Sequence, residues 1–553
     1  MTRHNKQPLK SDDVKIEVLR LKNEGLSIPI ISQHVGIPTS TLSDFLLGHT
    51  YKEWWKSVAD KPIAMGELDD HRKDAIDLTG YDTFIITSAQ NNTYVHRKFL
   101  ESLQSLEAFY ENNGHKPKTI VGTFTYNQSG FQNLQKSVNY KDNVWYDPKI
   151  EDYILDAPAK LAEGLLWCGE LNILPTAVNP LSGLHSYTKN DSGIIPHAKV
   201  QLESLPTHMS DPCRMLYTTG AVTKRNYIQK KAGQKASFHH IFGALVVEVD
   251  DDGDWFVRQI VAEKDTGCFY DMNRYYTPSG VEYGHRVESI NYGDLHSEKK
   301  DARVYDMSFG NNKESLLNQL KPKYQFVHDV LDFEARNHHN INDPYFRFKM
   351  YTQRKELVKD NIMDVAATLA KMERDYCNTV VVESNHDLAL QKWLKFSDYK
   401  TDPANAVFFL ECQLAQYKAI ENDEPFQVFE YAVNKLTDGL LKNVIFLKTD
   451  ESFRVCNWDG NGIECGQHGH LGANGSRGGI NVYQKMGTRY NIGHSHAAGI
   501  KDGVYQAGVS GKLNMGYNQG ASSWSHSHII TYKNSKRCII TLKNGKHSRN
   551  NNL

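Results

Sequence analysis

Long apolar runs are missing from this chain of 553 residues. No stretch reaches the roughly 18 apolar residues that a membrane-spanning helix needs, so no membrane association is expected. The opening MTRHNKQPLK is polar and has no apolar signal core, which argues against export and for a cytoplasmic location. A dominant charge is missing too. The net charge is −1, so no global field draws the chain onto nucleic acid, and any grip on phosphate must be local. Cysteine pairs are absent. The eight thiols stand at 168, 213, 268, 377, 412, 456, 465 and 538 with no Cys-x-x-Cys, which excludes a zinc ribbon. Free thiols used in packing are expected instead. No internal repeat or low-complexity tract occurs. What is present, 40% hydrophobic and 23% charged residues, describes a soluble globular chain. Its length suggests about three or four domains, or two with large insertions.

Residues 14 to 48 read VKIEVLRLKNEGLSIPIISQHVGIPTSTLSDFLLG. Val14, Val18 and Leu21 share one helical face, and Gly25 ends that helix. Ser27 suits an N-cap, with Pro29 in the first turn of a second helix that carries Ile30 and Ile31 inward. Gly36 stands where a left-handed turn residue is wanted. Pro38 and Thr39 open a third helix that buries Leu42, Phe45 and Leu46. The pattern resembles a helix-turn-helix of the resolvase or transposase type. That resemblance places Thr39, Ser40, Thr41, Ser43 and Asp44 on the exposed, DNA-facing side of the third helix. A small helical bundle for protein contacts is the alternative. Residues 49 to 80 read as a connector with an aromatic anchor at Trp54 and Trp55.

From 80 to 285 a mixed α/β segment is expected. DTFIITSAQ, then VHRKFLESLQSLEAFYENNG, then KTIVGTFTY is strand, helix, strand at βαβ spacing. HIFGALVVEVDDDGDWFVRQIVAE reads as a hairpin turning on Asp-Asp-Gly-Asp. Between them, Lys224, Arg225, Lys230, Lys231 and Lys235 beside Tyr227 form a basic strip with an aromatic, suited to a phosphate backbone. A solvated loop face is the plainer alternative.

From 286 onward strands and helices alternate, and the ending IITYK and CIITLKNGK reads as antiparallel strands followed by a frayed basic tail. Polar motifs sit just past several of the apolar strands, where open α/β sheets bind ligands. In order they are Asp294-Leu295-His296, Asp329, Asn385-His386-Asp387, His468-Gly469-His470 and Gly493-His494-Ser495-His496. Asp, His, Asp, Asn, His, His and His make a complete donor set for two hard-to-borderline divalent cations. Mn²⁺ suits such mixed nitrogen and oxygen donors, and Mg²⁺ suits them less. His338, His339, His526 and His528 are expected to play no part as donors, with lining of the groove the alternative for His526 and His528. Gly466 to Gly479, glycine-dense around Asn474 and Arg477, is either a phosphate-holding loop or a plain flexible one.

The five motifs, in this order, resemble those of the calcineurin-like metallophosphoesterases. The resemblance implies that Asp294, His296 and His496 bind one metal, that Asp329 bridges two, and that Asn385, His468 and His494 complete the second. It places His386 beside the scissile phosphate as a proton donor or charge stabiliser, with His470 an alternative to His468. Two positions depart from the family pattern: His328 precedes Asp329, and Ser384 precedes Asn385, where the family has glycine.

A multidomain α/β chain follows: an all-α helix-turn-helix over 1–60, a central mixed α/β domain over 80–285, and a metallophosphoesterase αββα-type sandwich over 286–553. The whole plan resembles the pre-early DNases with which large tailed phages degrade host DNA, and more distantly the double-strand-break repair nucleases. This implies two-metal hydrolysis of DNA in the cytoplasm of an infected bacterium. A homodimer or larger assembly is expected, since helix-turn-helix elements often work in pairs. A phosphodiesterase or phosphatase acting on nucleotides or RNA, and a non-catalytic DNA-binding regulator, are the alternatives.

Overall fold

The computed structural model describes residues 9, 11–23, 26–52, 54–55, 75–126, 144–337, 340–458 and 460–551. His338 and His339 lie outside them. The chain divides into two compact units, Met1–Asp74 and Ala75–Leu553.

The first unit holds three helices, Asp12–Asn23, Ile28–Val35 and Thr39–Leu46. Pro29 sits in the first turn of the second, and Gly36 closes that helix at φ 68. Val18, Leu21, Ile31, Leu42 and Phe45 form its core. Ile30, expected inside, is half exposed, because Ile31 takes the buried position on so short a helix. Thr41 is also misplaced by the sequence reading. It is 8% exposed, whereas Thr39 and Ser40 face solvent and Ser43 is half-buried. Trp54 and Trp55 pack on Phe45 at ring separations of 5.4 and 5.2 Å, so they belong to the helical core rather than to a connector.

The second unit is a mixed α/β body with several sheets. Four parallel strands, Val444–Leu447, Asn378–Val382, Tyr324–Val327 and Ser289–Asn291, continue into the antiparallel Ser527–Thr531 and Arg537–Thr541. Successive side chains on a strand point to opposite faces. Val381 accordingly packs under the helices Ala302–Phe309, Val358–Met372 and Val428–Leu436, while Val380 and Val382 pack against Ile463 and Cys465. The expected βαβ unit is present: Thr83–Gln90 and Pro117–Phe124 pair in parallel around the helix Arg97–Asn112. The hairpin Gly243–Val249/Trp255–Val261 joins them in a four-stranded sheet.

The expected boundary at 285/286 does not divide this body. An eleven-stranded sheet contains strands from both sides of it, and its seam is the antiparallel pair Leu202–Leu205 with Gly499–Lys501. One apolar cluster likewise joins Phe84, Ile86 and Trp167 to Ile500, Ile529 and Ile539. The tail is not frayed through residue 551. His547 and Ser548 are buried, and Arg549 pairs with Asp82 at 2.6 Å and Asp251 at 3.0 Å. All eight cysteines are free, and seven are buried. No helix among the described residues is long and apolar enough to cross a membrane.

Candidate metal centre

Three neighbouring parallel strands end together, and each delivers polar residues to the same edge. Ser289–Asn291 leads to Asp294 and His296, Tyr324–Val327 to His328, Asp329 and Asp332, and Asn378–Val382 to Asn385, His386 and Asp387. Ile463–Glu464 and Arg489–Ile492, from the other large sheet, bring His468 and then His494 and His496. The chain turns sharply at this edge. His296, Asp329, His494 and His496 all have left-handed backbones, at φ 51, 41, 77 and 58. Non-glycine residues rarely adopt that conformation, at a cost of about 1–3 kcal/mol each, and such strain gathers at functional sites. Gly493 has a different reason to be glycine: a Cβ there would stand 2.2 Å from Asp294 Oδ1.

The donor atoms converge. His496 Nε2 lies 3.1 Å from Asp294 Oδ2 and 3.1 Å from His296 Nε2. His296 Nε2 is 3.8 Å from Asp329 Oδ2, which is 3.4 Å from His468 Nε2. His468 Nε2 is in turn 3.2 Å from Asn385 Oδ1. The His494 ring stands 5.1 Å from that of His468, and the His494 backbone N–H donates to Asp294 Oδ2 at 2.8 Å. Oxygen and nitrogen atoms of Asp294, His296, Asp329 and His496 all lie within 4.8 Å of one another, and so do those of His296, Asp332 and His386. All seven residues of the expected donor set therefore meet. His468, not His470, makes the contacts to Asp329 and Asn385; the His470 ring is set back 5.3 Å from that of His468.

Chemistry at this edge favours a cation. Asp294, Asp329 and Asp332 are buried, and among the described residues the lysine or arginine that contacts them is Lys299, 3.3 Å from Asp332 Oδ2. Buried carboxylates without such partners are usually neutralised or hold metals. Asp294 Oδ1, His468 Nδ1 and His496 Nδ1 are buried with no hydrogen-bond partner. His296 gives the clearest sign. Its Nδ1 is 3.0 Å from Asp332 Oδ1 and so carries the proton, which turns the Nε2 lone pair toward His496 Nε2. A carboxylate–histidine pair of this kind orients an imidazole for a metal.

Titration agrees. Burial pushes His296 below its ordinary value and holds His494 and His470 down to about 4, with His468 adding to it, so these rings are neutral donors. Burial would raise Asp294, but His468 and His496 outweigh it and hold it at about 2. Asp329 is likewise held well below its ordinary value by His468 and His386 against its burial. His468 goes the other way. Burial opposes its charge, yet Asp329 and Asp294 raise it to about 9. His386 is also raised, by Asp329 and Asp332 against its burial.

Sequence reasoning missed several residues. Asp332 orients His296 and is itself held by Glu298, whose carboxylate accepts from the backbone N–H of Asp332 and of Phe333. Asp387 clips two strand-end loops together, accepting from Leu331 N–H at 3.1 Å and Ser384 Oγ at 2.7 Å. That bond gives the serine at 384 a task glycine could not perform. Trp524 packs edge-on against His496 at 4.1 Å. The buried His328 stands 5.5 Å from the His468 ring, with neither nitrogen bonded. Asp332 had a signal, its proximity to Asp329, whereas Trp524 had none. The glycine-rich loop is closed by bonds from Gly472 N to Ser476 O and from Gly478 N to His470 O, and leaves Asn474 and Arg477 exposed.

Lys224, Arg225, Lys230, Lys231 and Lys235 are exposed, but Tyr227 is buried with its hydroxyl 2.7 Å from His240 Nδ1, so it cannot stack on a base. Phe238 is the exposed aromatic of that strip.

Protein A1 of Escherichia phage T5 is 45% identical to this chain over 472 residues, which cover 84% of this chain and 82% of that protein. No family model matches, and no solved structure does.

Proposed function

Since the chain belongs to the family of Protein A1 of Escherichia phage T5, we propose that its centre makes it a metal-dependent phosphodiesterase that hydrolyses DNA in the infected host's cytoplasm. The observation that carries the chemistry is the buried cluster of Asp294, His296, Asp329 and His496, whose donor atoms lie within 4.8 Å of one another, with His468 and Asn385 extending it from Asp329 and the His494 ring 5.1 Å from that of His468. These residue types suit two divalent cations, Mn²⁺ ahead of Mg²⁺. On this reading the two packed sheets and their helices are a metallophosphoesterase sandwich. The helix-turn-helix, through Thr39, Ser40 and Ser43, and the strip at Lys224, Arg225, Lys230 and Lys231 add local grip on DNA. The choice of DNA over a small phosphodiester rests on these two features.

Cations held by Asp294, His296, Asp329, Asn385, His468, His494 and His496 would supply an activated water near neutral pH and charge to balance a phosphoryl group. The protein's own residues do the rest. Asp332 fixes the His296 tautomer. The Nδ1 of His386 donates to the Asp332 carbonyl at 3.0 Å, which leaves Nε2 free to face a substrate. With Nδ1 held in that bond, Nε2 is the atom placed to give a proton to the leaving oxygen. The His386 backbone N–H also donates to Asp329 Oδ1 at 3.4 Å, which ties proton donor to bridge.

Plasmid and linear DNA incubated with Mn²⁺ test the reading. Wild-type chain should cleave both. His386→Ala should lose about 10²–10⁴-fold in rate, the usual contribution of a proton donor, and Asp294→Ala should be inactive. Wild-type rates from both variants would remove the centre from the reaction.

A further inference from the structure

A cleft of about 570 Å³ lies beside the helix Leu388–Phe396, which starts directly after Asn385-His386-Asp387. At about 1.5 Å per residue, Lys392 and Phe396 stand roughly 9 and 15 Å along the axis from His386. The opposite wall carries Arg347, from the helix Pro344–Thr352. Arg336 and Asp402 line the cleft too, but each satisfies the other through two bonds of 2.6 Å. Asp398 lines it as well, and Arg347 acts on Asp402 through space, yet Arg347 and Lys392 keep their heads open. Both are exposed, and neither has a hydrogen bond or ion pair within 4 Å among the described residues. Phe396 leaves 76% of its surface bare, against the Lys395 ammonium 5.4 Å from its ring. The helix of Arg347 also exposes Tyr345, Phe348 and Tyr351, with Lys349, Arg354 and Lys355 exposed among them.

Bare aromatic rings interleaved with unpaired cations are how proteins hold single-stranded nucleic acid: rings stack on bases, and cations follow the backbone. The cleft's size suits a small-molecule-sized guest. A paired, stacked base cannot enter it, whereas an unpaired one can.

We propose that this cleft holds the nucleotide next to the scissile phosphate, with its unpaired base on Phe396 and its phosphate on Arg347 and Lys392, and that the cleaved strand is therefore single-stranded there. The inference rests on the phosphodiesterase reading and adds the strand form of the substrate.

Two measurements on the full chain test it and keep it separable from that reading. The first is binding of a fluorescent single-stranded oligodeoxynucleotide and of its duplex in EDTA, where no cleavage occurs. Phe396→Ala and the pair Arg347→Gln/Lys392→Gln should each weaken single-strand binding about tenfold and change duplex binding little. The charge pair should also flatten the dependence on salt. The second is turnover with Mn²⁺. Phe396→Ala should raise KM for the single strand with little change in kcat, and wild type should also hydrolyse bis(p-nitrophenyl) phosphate. If wild type hydrolyses neither DNA nor the small diester, the phosphodiesterase reading fails, and binding in EDTA still decides the cleft. Unchanged single-strand binding in these variants, equal losses on duplex, or a change in oligomeric state alone would overturn the proposal.

Discussion

His296 is as much a product of Asp332 as of its own position. The carboxylate at 3.0 Å from Nδ1 decides which nitrogen is bare, and burial keeps the ring neutral. Asp332→Asn should leave the fold intact and weaken Mn²⁺ binding about 10–100-fold, the usual effect of losing such a support. Calorimetric titration reads this directly, and unaltered affinity would show that Asp332 does not orient the ring. That the seven candidate donors would lie near one another could be read in the sequence, because the motifs follow apolar strands and parallel strands end at a common edge. Their supports could not. Asp329 and Asp332 both turn inward, and they do so around a left-handed residue at Asp329, which no local pattern announces. Thr41 was misread for a related reason: on a helix of eight residues, a shift in phase of one residue separates buried from exposed.

Elements show a second kind of illegibility, in the C-terminal tail. KHSRNNNL looks frayed by composition, yet Arg549 docks because acidic partners wait at distant positions, Asp82 and Asp251 among them. The backbone N–H of Arg549 donates to Glu248 at 3.2 Å. Glu248 also accepts from Tyr110 at 2.6 Å and from Arg258 at 2.8 Å, and Arg258 forks onto Asp271. Burial would raise Glu248, but the Arg258 guanidinium prevails and holds it at about 2. A carboxylate depressed in the folded state contributes stability above its ordinary value of about 4.3 and loses it as pH falls toward the folded value. Glu248→Gln should thus cost about 3–5 kcal/mol at neutral pH, the range for breaking a buried pair. Its penalty should shrink between about pH 4.3 and pH 2. Urea unfolding across that range checks both parts, and a penalty independent of pH would show that the charge on Glu248 is not what stabilises the tail.

At the scale of the whole molecule, the strands and helices of 80–553 were largely legible and their grouping was not. A hydrophobic period shows that a segment is a strand, not which strand it pairs with. Leu202–Leu205 finds Gly499–Lys501 nearly three hundred residues away, so the segment 286–553 is not a free-standing domain. Expressed alone it would leave Ile500, Ile529 and Ile539 without Phe84, Ile86 and Trp167. It should be insoluble or lack cooperative unfolding, and a sharp two-state transition from that fragment would restore the boundary. The central claim is that this undivided body gathers seven side chains around two cations. Anomalous diffraction from crystals grown with Mn²⁺ tests it most directly. Two peaks about 3.5–4 Å apart are expected on either side of Asp329, one beside Asp294, His296 and His496 and the other beside Asn385, His468 and His494. Density elsewhere, or none at these residues, would contradict the account.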